Sequence, residues 1–152
     1  MGMIANSMID ERESSLLTTD EIYDLIEKTM VGKRPKVRIR AITTLGNSGD
    51  PRAVRSLIDS CKDQNPEIRR SAIVGLQNMR SGRSVDVLID RIRDKGELPE
   101  NRQRAAAALA TIRSYSAIQE LRNRYADADE DEDEDEALRS FIGGELERAQ
   151  LW

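Results

Sequence analysis

The chain has 152 residues, 34% of them charged and only 3% aromatic, enough for one domain that buries about 70% of its unfolded surface. Its core therefore has to be built from Ile, Leu, Val and Ala, which suits packed helices better than a β-sandwich. With no histidine and a single cysteine, Cys61, the sequence excludes His-based triads, imidazole metal ligands, an internal disulfide and an all-Cys metal cluster.

The opening stretch, MGMIANSMIDERESSLL, holds no sustained apolar run. It reads as neither signal peptide nor membrane span, so a cytoplasmic protein with no membrane partner is expected. Residues 1–19 form either a tail or a capping helix, and residues 20–150 form the folded domain. Along that domain, helices of one kind are predicted over about 21–32, 52–62, 84–94 and 116–126. Helices of a second kind alternate with them over about 36–46, 67–78, 100–113 and 136–148. Pro35, Pro66 and Pro99 mark the turns inside each pair, because proline pushes the residue before it out of the helical region. The stretch GNSGDP supplies a Gly to end one helix and an Asp-Pro to start the next.

These pairs are copies of one unit. Leu45 is followed at intervals of 31, 33 and 37 residues by Leu76, Leu109 and Leu146. Seven residues before each stands an Arg: Arg38, Arg69, Arg102 and Arg139. Four before each stand Ala41, Ala72, Ala105 and Ile142. The first kind of helix repeats as well, with Ile22 and Leu25, Val54 and Leu57, Val85 and Leu88, and Ile118 and Leu121 in matching columns. One such hairpin cannot bury its apolar stripe alone, whereas a stack of four can. The predicted fold is an all-α, short right-handed α-solenoid of about four stacked helical hairpins.

The stretch TTLGNSGDPRAVRSLIDSCKDQNPEIRRSAIVGL resembles the HEAT-like repeat of the phycobilisome-lyase type. Leu45, Gly46, Gly49, Asp50, Pro51, Ala53, Val54 and Leu57 carry the likeness, followed by Ile68, Arg69, Ala72 and Leu76. The third copy is looser, with Arg83 and Ser84 in place of Asp-Pro, and the fourth carries an insertion between its helices. The resemblance covers roughly residues 20–148 and implies an armadillo-like solenoid. Such repeats serve as scaffolds, enzyme subunits and nucleic-acid binders. Some HEAT-like proteins hydroxylate substrates through paired His-Glu metal motifs, and a chain without histidine cannot inherit that activity. No bilin-attachment motif is recognisable. Phosphate-loop, dinucleotide, H-E-x-x-H and C-x-x-C signatures are absent too, so no catalytic residue, cofactor or metal is expected.

Charge is unevenly spread. Residues 127–136, DADEDEDEDE, hold nine carboxylates, and without them the net charge of -4 becomes roughly +5. Nine like charges in ten residues repel one another. The acidic loop is expected either to be solvated and disordered or to dock a basic partner. The Arg column lies within about 20° of the buried stripe. Its expected role is therefore structural, with buried stems and charged heads seeking carboxylates or helix-end carbonyls. The resemblance implies Asp–Arg pairs between neighbouring repeats, with Asp63 and Asp94 as the carboxylates. Cys61 extends the stripe of Val54, Leu57 and Ile58 and is expected in the core. Leu151 and Trp152 either cap the last repeat or form a docking peptide.

In a stacked solenoid the second helices line the concave face. Positions five back, two back and two forward of each anchor Leu point outward into that groove. They are Arg40, Thr43 and Asn47; Ser71, Val74 and Asn78; Arg104, Ala107 and Thr111; and, in the last copy, Phe141, Gly144 and Arg148. These residues are the candidate partner-binding groove, with Phe141 either anchoring one end or packing inside the last hairpin. The expected function is a non-catalytic scaffold or adaptor for a protein or peptide, acidic where it meets the groove or basic where it meets 127–136. The alternatives are a nucleic-acid or polyanion binder using the Arg-rich body and an accessory subunit of a modifying enzyme. The lack of interleaved aromatic residues argues against nucleic acid.

Overall fold

Helix starts follow from local chemistry. Pro35, Pro66 and Pro99 each occupy the first position of a helix, where the missing N–H costs nothing and the fixed φ suits helical backbone. Thr18 forms a capping box with Glu21, its hydroxyl accepting from the Glu21 N–H at 3.2 Å while its own N–H donates to the Glu21 carboxylate at 2.9 Å. A computed structural model describes residues 16–127 and 133–152. Within them run α1 (Thr19–Lys28), α2 (Pro35–Ser48), α3 (Val54–Ser60), α4 (Pro66–Met79), α5 (Val85–Arg93), α6 (Pro99–Ile112), α7 (Tyr115–Ala126) and α8 (Asp133–Ala149). Consecutive pairs form the four hairpins.

Some boundaries differ from expectation. The first helices of the second and third hairpins begin later, because single 3₁₀ turns at Pro51–Ala53 and Gly82–Ser84 precede them. Asp50 and Ser81 hold those turns by accepting from the N–H groups of Arg52 and Arg83. The acidic run is only partly an interhelical loop. Its last four residues, 133–136, form the first turn of α8, where carboxylates are favoured by the positive end of the helix dipole. Residues 1–15 and 128–132, most of the expected tail and the centre of the acidic loop, lie outside the described residues.

The four second helices end alike. Four residues after each anchor Leu the backbone turns left-handed, at Gly49 (φ 66°), Arg80 (φ 51°), Arg113 (φ 59°) and Gln150 (φ 55°). Only the first of these is a residue that adopts the conformation without cost.

Packing then assembles the layers. The anchors Leu45, Leu76, Leu109 and Leu146 are fully buried, as are Ile22, Leu57, Leu88 and Leu121 from the first helices. The second helices α2, α4, α6 and α8 pack side by side along their lengths, whereas neighbouring first helices meet at few points. The layer with the closer spacing lies on the inside of a curved stack. Gly46 and Gly75 bring α2 and α4 especially close, since a Cβ on Gly46 would stand 2.6 Å from the Gly75 Cα. Leu151 closes the far end, with 5% of its surface exposed. Trp152 meets Tyr125 edge-on at 5.0 Å. Among the described residues no helix is long and apolar enough to cross a membrane.

Candidate protein-binding face

Each second helix has two sides that matter. The side flanking the buried stripe carries the Arg column, and the opposite side faces solvent.

The Arg column repeats one bonding pattern. The guanidinium reaches the last carbonyls of the first helix in its own hairpin, or the turn just after it. Arg38 Nε donates to Thr29 O at 3.0 Å, Arg102 Nε to Ile92 O at 2.8 Å and Arg139 Nε to Tyr125 O at 2.7 Å. Arg69 Nη1 donates to Asp63 O at 2.8 Å and Gln64 O at 3.0 Å. These carbonyls lack helical partners, so the bonds satisfy groups that burial would otherwise leave unpaired.

The remaining nitrogens reach forward to a carboxylate of the next hairpin. Arg38 binds Asp63. Arg69 binds Glu97 through Nε at 2.7 Å and Nη2 at 2.8 Å. Arg102 Nη2 lies 3.1 Å from Asp135 Oδ1, an ion pair without a well-aligned hydrogen bond. Arg139, in the fourth hairpin, lies over the Tyr125 ring at 5.2 Å and 3.6 Å from Glu136 on its own helix.

One expected partner changes. Asp63 takes the inferred place, but Asp94 does not. Asp94 accepts from Arg91 at 3.2 Å and from the Gly96 N–H at 2.9 Å, and Glu97 pairs with Arg69 instead. The turns before α4 and α6 both hold five residues, but the carboxylate that reaches the preceding hairpin is the third residue of the first turn, Asp63, and the fourth of the second, Glu97.

Glu97 is the most heavily bonded carboxylate of the series. Its side chain is fully buried, and besides Arg69 it accepts from Arg91 Nη1 at 3.0 Å, Asn101 Nδ2 at 3.0 Å and the Leu98 N–H at 2.9 Å. Burial alone would raise its pKa, but the bonds from Arg69, Asn101, Leu98 and Arg91 outweigh burial and bring it to about 2. The same contest at Asp63 also ends below the ordinary carboxylate value, with Arg38 and the Asn65 N–H outweighing burial. Cys61 has no such compensation. Burial pushes its thiol up to about 12, which makes it an inert core residue.

The outward side is built differently. Arg40, Thr43, Asn47 and Asn78 are exposed, while Ser71, Val74, Arg104, Ala107 and Thr111 are half-buried. Phe141 is half-buried and packs against the core at the last hairpin, beside the exposed Gly144 and Arg148. Two contacts join these positions between helices. Asn78 Nδ2 approaches Asn47 Oδ1 at 3.4 Å, and Gln77 Nε2 donates to Thr111 Oγ1 at 3.1 Å. The hydroxyls of Thr43, Ser71 and Thr111 bond back to carbonyls of their own helices, which leaves short, nearly apolar side chains facing outward. Arg40 and Arg104 have no ion-pair partner among the described residues. Arg70, which the anchor-based positions missed, is exposed and likewise unpaired. It sits six before Leu76, one place from the expected Ser71, and a wider window on the same helix side would have found it.

A family model for HEAT repeats matches residues 22–98, from the first buried residue of α1 to the residue before α6. The chain belongs to the HEAT-repeat family. Among solved structures, this HEAT-repeat chain resembles human deoxyhypusine hydroxylase in complex with glycerol, with a TM-score of 0.70 and 22% sequence identity. The likeness covers 88% of this chain and 46% of that one, so the chain spans about half the length of its structural neighbour. At that identity the likeness is one of fold. No curated protein matches the chain. The family match ends between α5 and α6, partway through the third hairpin, yet the Arg column and the left-handed helix ends continue beyond it.

Proposed function

We propose that this HEAT-repeat chain is a non-catalytic interaction scaffold or adaptor, acting in the cytoplasm, whose protein partner lies along the outward side of α2, α4, α6 and α8. One observation carries this reading: bonding is divided sharply between the two sides of the same helices. Arginines on the seam between hairpins are held by carbonyls and carboxylates, which supports a structural role for Arg38, Arg69, Arg102 and Arg139. On the outward side Arg148 pairs with Glu145 on its own helix, but Arg40, Arg70 and Arg104 are unpaired among the described residues and stand among Thr43, Val74 and Ala107, whose short side chains let another chain approach closely. An exposed layer of small residues with isolated charged anchors suits a protein ligand.

Catalysis finds less support. These 152 residues contain no histidine, so they offer no imidazole base or imidazole metal ligand. Among the described residues no group of His, Cys, Asp and Glu is placed to hold a metal.

Bulk added to the outward face tests the reading. Thr43→Trp combined with Ala107→Trp fills it without touching the Arg column. The expected result is a folded protein that no longer recovers the proteins wild type binds from native extract. Undiminished recovery by the folded variant would place the partner elsewhere.

A further inference from the structure

Charge is sorted between the two helices of the first hairpin. α1 carries Asp20, Glu21, Asp24 and Glu27 against Lys28 alone, whereas α2 carries Lys36, Arg38 and Arg40 and no acid. Along the second-helix layer, Arg40, Arg70 and Arg104 stand five, six and five residues before their anchors. The three helices run parallel in register, so these guanidinium groups lie at one level across the stack. None has an ion-pair partner among the described residues. α8 offers Ser140 and Phe141 at that level, so the cationic row ends at α6.

From this row we infer that the outward face binds an extended acidic peptide segment, carrying three carboxylates, one at every third residue, across α2, α4 and α6. The spacing follows from geometry. Packed helix axes lie about 8–10 Å apart, and a peptide in the polyproline II conformation advances about 3.1 Å per residue with three residues per turn, so every third side chain faces the same way and three residues carry the ligand from one helix to the next. Guanidinium groups meet carboxylates with paired donors, and Thr43, Val74 and Ala107 leave room for the ligand backbone between them. Nucleic acid fits less well. α2, α4 and α6 contain no aromatic side chain on which bases would stack. This inference rests on the interaction reading and specifies its ligand.

The test uses the full chain and three labelled probes followed by fluorescence anisotropy at low salt. One is a peptide of Ser, Thr and Gly with Glu at every third position, three in all. The second has the same composition with its Glu residues adjacent, and the third is a short DNA duplex. The spaced peptide should bind at least roughly tenfold more tightly than the other two, and its affinity should fall as salt rises. Arg40→Glu with Arg104→Glu should abolish that preference. The matched reversal Arg83→Glu with Arg113→Glu, at exposed sites off this row, should leave it in place. Equal affinity for the two peptides, tighter binding of the duplex, equal losses from both reversals, or no binding would each overturn the inference. Its failure is separable from failure of the scaffold reading. If the Thr43→Trp, Ala107→Trp variant loses the natural partner while the Arg40, Arg104 reversal keeps it, the face is the site and the acidic ligand is wrong.

Discussion

Glu97→Gln removes one charge from the bonded centre between the second and third hairpins while preserving volume. In the folded protein Glu97 has its pKa brought from 4.5 to about 2. That displacement corresponds to about 3 kcal/mol of folding stability, a substantial part of the roughly 5–15 kcal/mol typical of a domain. The pKa is depressed on folding, so the contribution is complete above the unfolded value of 4.5 and is lost as pH falls toward 2. Wild type should therefore exceed E97Q by about 3 kcal/mol at neutral pH, and the gap should shrink below about 1 kcal/mol near pH 2.5. Urea unfolding of both proteins across that range measures it. Asp59→Asn serves as control, because the Arg55–Asp59 pair is exposed, with side chains at 78% and 59%, and should contribute less than about 1 kcal/mol. A neutral-pH gap under about 1 kcal/mol, or one constant down to pH 2.5, would refute the claim that Glu97 joins the hairpins as a buried anion.

Three further outcomes are expected from the packing. Gly46→Ala should cost about 1–3 kcal/mol in chemical denaturation, because its Cβ meets the Gly75 backbone; at Gly144, where a Cβ meets open space, Ala should be neutral or gain up to about 1 kcal/mol. Arg80→Gly and Arg113→Gly should each raise stability by about 0.5–1 kcal/mol by relieving left-handed backbone, read as a higher Tm. Cys61, with its thiol near 12, should alkylate at pH 8 roughly a thousandfold more slowly in the folded protein than in urea.

The repeat made most of the fold legible. A Leu every 31 to 37 residues with Arg, Ala and Pro at constant offsets defines helix identity, burial and pairing at once, because a solenoid reuses one local solution. Turns were less legible. Glycine marks the left-handed helix end only at Gly49, while Arg80, Arg113 and Gln150 perform the same turn under tertiary constraint, with no compositional sign. Glu97 keeps neither offset of Asp63: it stands two residues before Pro99 where Asp63 stands three before Pro66, and four after the end of α5 where Asp63 stands three after α3, so no fixed spacing points to it. The end of the acidic run, read as loop, joins α8 because an acidic first turn suits the helix dipole and Arg102 meets Asp135. At the candidate site, the outward positions are exposed or half-buried as a helical wheel would place them. Arg70 escaped because its helix places the cation one residue away from the equivalent sites on α2 and α6.

The central claim is that the second-helix face receives the partner. A photo-crosslinking amino acid placed singly at Thr43, at Ala107 and at Tyr115, whose first-helix side chain is 80% exposed, tests it in native extract. The account predicts the same covalent adduct from Thr43 and Ala107 and none from Tyr115. An adduct from Tyr115 alone would contradict it.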